Sequence, residues 1–285
     1  MKQHSSTRSL ARLRPTLLAI VLLLAALGCA APLVVGAAIS LTPAAHLSPG
    51  GAIFAAENIV GAPSWEHYAT LFSQHGFTAS FWITVAATVV ISAGQCAAST
   101  LAAYAFARLR FPGKEPLFWL YMATMAVPAI TLVVPLYLGA SSLGLRGTFA
   151  GLVVPFVLGS PFAVFWLRQS FRRMPQELLD AAQLDGATHW RTLVSVVLPA
   201  NRSVLAVLGF ITVATQWNSF LWPSVIASSA NGARVLTVAT AALQSQYQSN
   251  WPLVLAATTL TLLPMVVAFG VGALVFAHSP SFHRH

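Results

Sequence analysis

Very few side chains in this sequence are equipped for covalent chemistry. There are six acids in 285 residues, Glu57, Glu66, Glu115, Glu177, Asp180 and Asp185. The eight histidines are scattered over tails and loops, with no pair at metal-ligand spacing. Cys29 and Cys96 lie in apolar runs, where a thiol behaves as a small hydrophobe, so neither a disulfide nor a metal site is expected. No Gly-Lys-Ser/Thr sequence is present to cradle a phosphate, so this chain is not itself an ATPase. An intramembrane hydrolase would need a Ser, His or Asp constellation within the apolar runs, and no His or acid lies there. The reading is therefore not an enzyme and no cofactor. What remains is a concentration of three acids between Met174 and Pro199, Met-Pro-Gln-Glu-Leu-Leu-Asp-Ala-Ala-Gln-Leu-Asp-Gly-Ala-Thr-His-Trp-Arg-Thr-Leu-Val-Ser-Val-Val-Leu-Pro. Directed polar contacts at a surface are the chemistry this offers.

The elements that position those acids read as a helix–turn–helix. Pro175 suits a first helical position, where a missing N–H costs nothing, and Glu177 in the first turn is favoured by the helix dipole. Gly186 is suited to ending that helix because it tolerates a left-handed backbone. Thr188 can cap a second short helix, His189 to Val197, which is expected to stop before Pro199. Ala181 and Ala182 leave a small-residue patch where another backbone can come close. An exposed elbow of this kind suits docking on a partner.

The surrounding chain is built for lipid. It is 57% hydrophobic and 7% charged, against about 25% charged residues in a soluble domain. Its net charge of +9 does not imply nucleic acid, because the few Lys and Arg gather at the ends of apolar runs. The run from Thr16 to Ser40 spans about 37 Å as helix, too long for a signal core, and is expected to remain as a first span. Further spans are expected at Phe81–Ala107, Leu117–Leu138, Phe149–Leu167, Pro199–Leu221 and Pro252–Phe276. The third contains Pro128 and Pro135 and the fourth Pro155 and Pro161, which suggests irregular helices along a pathway. With these six spans, thirteen of the 15 Lys and Arg fall on one side, and only Arg146 and Arg234 on the other. Both termini are then cytosolic. Trp217 and Trp222 would sit at the outer interface, and Asn218 must find a polar partner, for which the translocation path is a candidate place.

Several of these stretches together resemble one family. Asp180-Ala181-Ala182, then Gly186, then Leu198-Pro199 resembles the "EAA" loop of permease subunits in binding-protein-dependent ABC importers, with Asp in place of Glu. The fuller run from Pro175 through Asp185, Gly186 and Ala187 resembles the carbohydrate-uptake branch. Within that branch it is similar to the smaller inner-membrane subunits of maltose and glycerol-3-phosphate systems. Tyr104-Ala-Phe-Ala-Arg108, Met125-Ala-Val-Pro128, Pro135-Leu-Tyr137, Trp217-Asn218 to Pro223 and Val235-Leu-Thr-Val238 resemble it as well. Ser64 to Phe72 resembles the family's short helix along the outer membrane face. The tail His278–His285 lacks the Gly-rich ending common there.

The resemblance implies an all-α integral membrane protein with the ABC type-1 importer transmembrane fold and six transmembrane helices. Residues 1–77 would hold the cytosolic tail, first helix and extracytoplasmic loop, and 78–278 the core with its coupling loop 174–199. It implies a second permease of similar type in a heterodimer, two ATP-binding cassette subunits that bind the ATP and dock on the elbow, and an extracytoplasmic solute-binding protein. The place is the bacterial plasma (inner) membrane, among lipid, and the mechanism alternating access with a sugar or polyol derivative as solute. Glu177, Asp180, Ala181, Ala182, Asp185, Gly186, Ala187 and Pro199 would meet the ATPase, and Trp217, Asn218, Pro128 and Pro135 the translocation path. A secondary, ion-coupled transporter or a channel subunit is the alternative. The former would show charged residues within its spans and two related halves, and neither is visible.

Overall fold

Proline and glycine decide where the apolar runs of this chain stay whole and where they break. A computed structural model describes residues 6–43, 63–74, 76–227, 234–246 and 250–277, and among them all regular structure is helical. The tail from 278, most of the loop before Ser64, and the positions Gly50 and Ser229 used below lie outside the described residues. The chain divides into two compact units, Met1–Gly76 with Thr240–His285, and Phe77–Ala239.

In the first unit α1 (Ser6–Ser40) carries an uninterrupted apolar stretch, Leu17–Ser40, long enough to cross a bilayer. The short helix expected after Ser64 is present as α2 (Glu66–Gln74), with the Ser64 hydroxyl accepting from Glu66 N. Two polar contacts tie α2 to the end of α1. Tyr68 Oη lies 2.7 Å from Ser40 Oγ, and the buried His67 places Nε2 3.0 Å from Thr42 O, which requires the Nε2–H tautomer to donate.

The second unit opens with α3 (Phe77–Arg108), a single long span. The next expected span is broken into α4 (Lys114–Ala123), a 3₁₀ turn at Thr124–Ala126, and α5 (Ala129–Ser142), bent by 99°. The cause is Pro128, which caps α5 in an extended conformation and pushes Val127 out of the helical region. Pro135, by contrast, is carried inside α5.

The expected span Phe149–Leu167 is also two helices, α6 (Phe149–Val153) and α7 (Pro161–Arg172). Pro155, Gly159 and Pro161 interrupt the helix after Val153: Val154, Phe156 and Val157 still donate to Ala150 O and Val153 O, and Ser160 is extended ahead of Pro161. The elbow follows as α8 (Gln176–Leu184), α9 (His189–Thr192), a π-helical stretch Leu193–Val197 and α10 (Leu198–Ala200). The span expected at Pro199–Leu221 is α11 (Arg202–Trp217) followed by α12 (Leu221–Ile226); α13 (Leu236–Gln246) starts in this unit and from Thr240 is counted in the first. In the first unit again, α14 (Trp251–Ala277) accommodates Pro264 without a break.

Among the described residues four helices are long and apolar enough to cross a membrane, and a fifth crossing results if the bent α4–α5 pair counts as one. The core around the elbow is a cluster of Tyr104, Phe106, Phe118, Val164, Leu167 and Phe171 with Leu179, Leu193 and Val197. Burying the last three is what holds the elbow against α3 and α7.

Candidate functional site

The elbow is assembled from two local motifs and two long-range anchors. Its first helix starts one residue later than expected: Pro175 is the cap, in an extended conformation, and not the first helical residue. It ends in a Schellman motif. Gly186 has φ 71°, its N–H donates to Gln183 O at 3.0 Å, and Ala187 N–H donates to Ala182 O at 2.9 Å. Thr188 then caps α9 by accepting from Arg191 N at 3.3 Å. The turn between the two arms is thus defined by backbone bonds at both of its ends.

The second arm departs from expectation. It does not stop before Pro199 but runs on through α10 to Ala200. Pro199 removes one backbone donor, and the wider π turns at Leu193–Val197 just before it let the helix continue past that gap.

Of the expected docking residues, Glu177, Asp180 and Ala181 are exposed on α8, at spacings that place them on one face with Leu184. Leu184 is 90% exposed and Trp190 65% exposed. Two large apolar side chains left uncovered outside any candidate span mark a contact surface. Asp185 and Gly186 are exposed at the turn, Ala182 and Ala187 are half-buried behind it, and Pro199 is exposed on the second arm. Asp180 Oδ1 accepts from Gln176 Nε2 at 3.0 Å, so its carboxylate is already oriented within α8.

The anchors were not visible in the sequence. Arg108, at the end of α3, donates through Nη2 to Phe171 O and to Met174 O (3.1 Å), and through Nη1 to Gln176 Oε1 at 3.1 Å. One guanidinium therefore caps the C-terminus of α7 and steers the first turn of α8. Its acceptors are mostly backbone carbonyls far along the chain, which leave no trace in residue types; only its place in Tyr104-Ala-Phe-Ala-Arg108 drew attention. Asn201, buried, accepts from Ser170 Oγ at 2.6 Å and donates to Val197 O at 2.8 Å and Met174 Sδ at 3.1 Å. It joins the two ends of the elbow. Arg168, on the helix that leads into the elbow, pairs with Glu115 and is stacked on Phe118, fixing α7 to α3 and α4. Between the elbow and the end of α3 lies an open groove of about 630 Å³, lined by Arg108, Arg110, Gln176, Thr188 and His189 among others.

Replacing Arg108 with methionine removes three charge-assisted bonds and should loosen the elbow by about 1.5–3 kcal/mol. Tryptic cleavage at Arg172 and Arg173 in detergent is then expected to accelerate at least tenfold. Unchanged cleavage would show that Arg108 does not hold the elbow.

The residues expected along the path are not brought together. Pro128 and Pro135 are exposed on α5. Asn218 is exposed and donates to Ala214 O at 2.8 Å, capping its own helix. The indoles, expected at an outer interface, are instead interior. Trp217 is buried edge-on to Phe81, and Trp222 is buried with Nε1 donating to Gly151 O at 3.0 Å. The reason is that α12 folds back on α6, which gives Trp222 a carbonyl partner away from solvent.

Residues 95–277 match the model of the binding-protein-dependent transport system inner membrane component family. The chain belongs to this family. Among curated proteins, this inner-membrane component is 30% identical over 209 residues to the lactose transport system permease protein LacG of Rhizobium radiobacter, covering 73% of this chain and 76% of that one. It is 36% identical over 198 residues to the sn-glycerol-3-phosphate transport system permease protein UgpE of Yersinia pestis, covering 69% and 67%. Its fold is that of a chain in the crystal structure of a bacterial ABC transporter involved in the import of the acidic polysaccharide alginate. The TM-score is 0.78 at 20% identity, over 97% of this chain and 99% of the other. A second such structure, bacterial alginate ABC transporter in complex with alginate pentasaccharide-bound periplasmic protein, matches with TM-score 0.60 and 17% identity over 78% and 84%. The protein is thus an ABC importer permease of the bacterial inner membrane, of the kind used in sugar transport, and not an enzyme.

Proposed function

We propose that the chain is one of two unlike permease subunits of an ATP-driven importer, moving a sugar or a glycerol-phosphate-type solute by alternating access. The elbow carries the reading. It is capped at its turn, anchored at both ends, and presents an acidic and apolar face, Glu177, Asp180, Ala181 and Leu184, that is exposed among the described residues. Two ATP-binding subunits dock there and hold the ATP, since this chain offers no phosphate cradle. Closure of that pair pulls on the elbow and rocks the spans, while a solute-binding protein delivers the ligand outside. The solutes for which the similar transporters are named, lactose, sn-glycerol-3-phosphate and alginate, support a polyhydroxylated solute. Six spans with both termini cytosolic fit the charge distribution, with the α4–α5 and α6–α7 pairs as two broken crossings.

Two measurements test this. Cysteines placed at Gly50 and Ser229 are expected to react with a membrane-impermeant maleimide in intact cells; labelling only after permeabilisation overturns the topology. Mass spectrometry of metabolites retained by the cognate binding protein identifies the solute. Its uptake into proteoliposomes should require the partner permease, the ATPase and the binding protein together, and should persist when proton and sodium gradients are collapsed. Gradient-driven uptake by this chain alone would establish secondary transport instead.

A further inference from the structure

Residues 154–160, between α6 and α7, form a break in the second unit, and two side chains of α3 hold it. Gln95 Nε2 donates to Phe156 O at 2.8 Å, and Ser99 Oγ accepts from Ser160 N at 3.0 Å. These two side chains are four residues apart, one turn along the same face of α3. They take opposite ends of the break. Phe156 and Val157 still donate to Val153 O and so belong to the end of α6, whereas Ser160 is the cap of α7.

The intervening Leu158 is 73% exposed, and Tyr121 Oη donates to Gly159 O at 2.6 Å, linking the break to α4. The backbone comes close to α3 here. A side chain added at Gly94 would collide with Val157, and one at Gly159 would press on Ser99 at 3.2 Å. Gln95 lies well inside the long apolar helix α3, where an amide without a partner is unfavourable.

The two sides of the break belong to different clusters. On one side α7 leads within three residues to α8 and is clamped to α3 by Arg108 and Arg168. On the other, α6 is joined to α12 through Trp222 and Gly151 O. Because Pro155 and Pro161 prevent the gap from winding into helix, movement between the two clusters must be absorbed at 157–159.

We propose that Gln95 is a positioning residue for the transport movement: its amide latches the α6 side of the break to α3 in the resting state, with Leu158 as the hinge. This rests on the reading that ATPase subunits drive the elbow. In the movement α3 slides against α6, and the Gln95 bond is the directed polar contact exchanged while the apolar packing of Ala87 and Ile91 on Leu152 and Val153 shifts with it.

The test uses the complex purified through this chain, in proteoliposomes, with Cys29 and Cys96 replaced by alanine and Leu158→Cys introduced. N-ethylmaleimide reactivity of that cysteine is compared at rest and with Mg-ATP plus vanadate, in the presence of Gln95, Gln95→Leu and Gln95→Asn. Asparagine stays polar and is too short to reach Phe156 O. With Gln95 intact, ATP and vanadate should change the reactivity about fivefold; both variants should raise resting reactivity about fivefold and reduce the ATP effect below about twofold. Their ATP hydrolysis should stay within about twofold of the parent, a result a merely structural residue would not give.

The proposal is overturned if both variants keep the parent's reactivities, if both lose the ATPase or its hydrolysis, or if the cysteine is unreactive in every state. A parent complex without an ATPase or hydrolysis would refute the reading of the previous section alone. The resting reactivities, which need no ATP, would then still decide the latch.

Discussion

Gly186→Val is expected to leave the chain in the membrane at near-normal level while abolishing uptake and co-purification with the ATP-binding subunits. Gly186 has φ 71°, and a side chain there would meet nothing within 4 Å. Within this chain the penalty is therefore one of backbone conformation and not of space, about 1–2 kcal/mol for an ordinary residue and more for a β-branched one. That is enough to undo the Schellman bonds to Ala182 O and Gln183 O and to swing Asp185 and Leu184 out of place. The added methyl groups also stand in the face proposed to meet the ATPase. Gly186→Asn separates the two effects, because asparagine tolerates the left-handed region. It should keep the turn, and any loss it shows reports crowding at the interface. Immunoblots of membranes, affinity co-purification and uptake read the three properties. If the valine variant retains both the bound ATPase and full transport, the Met174–Pro199 stretch is a solvated hairpin and the docking reading fails.

The second large effect is expected at Arg168. It is buried, with Nη2 2.6 Å from Glu115 Oε1, Nε donating to Phe106 O at 3.2 Å, and its guanidinium carbon 3.7 Å from the centre of the Phe118 ring. One side chain thereby joins α3, α4 and α7. Arg168→Met keeps most of the volume but loses the charge-assisted bonds and the stacking, and should destabilise the chain by about 3 kcal/mol. Glu115→Gln should cost well under about 1 kcal/mol, since the Glu115 side chain is 55% exposed and returns to water without its partner. Arg168→Lys should fall near the methionine variant, because an ammonium cannot reach a carboxylate and a carbonyl while lying flat on a ring. Thermal unfolding of the purified protein in detergent measures the order. Equal losses at Arg168 and Glu115 would mean that the ion pair, and not the stacked and hydrogen-bonded arginine, holds the three helices.

The elbow was legible because its signals are local. A glycine that must take positive φ, a threonine cap and a run of residues resembling the EAA loop can all be read from neighbours in the chain, and Gly186 and Thr188 do stand at those turns. The long apolar runs that became α1, α3 and α14 were legible for the same reason, since each buries its own backbone polar groups in one continuous helix. Breaks were only half legible. Pro128 and Pro155 announced irregularity, but the 99° bend of α4 on α5 and the loss of helix across 154–160 depend on what meets the freed backbone groups. At 154–160 Gln95, Ser99 and Tyr121 meet them, and all three come from helices distant in sequence.

Three further outcomes were decided by the tertiary structure. The second arm runs past Pro199 because a π stretch widens the helix ahead of it. Trp217 and Trp222 are interior because α12 turns back on α6. Of the arginines that in the sequence mark the charged side of the membrane, Arg108 clamps the elbow and Arg168 joins α3, α4 and α7. Their acceptors are mostly main-chain carbonyls and an aromatic face, and groups of that kind carry no residue-type signal until the fold brings them within reach.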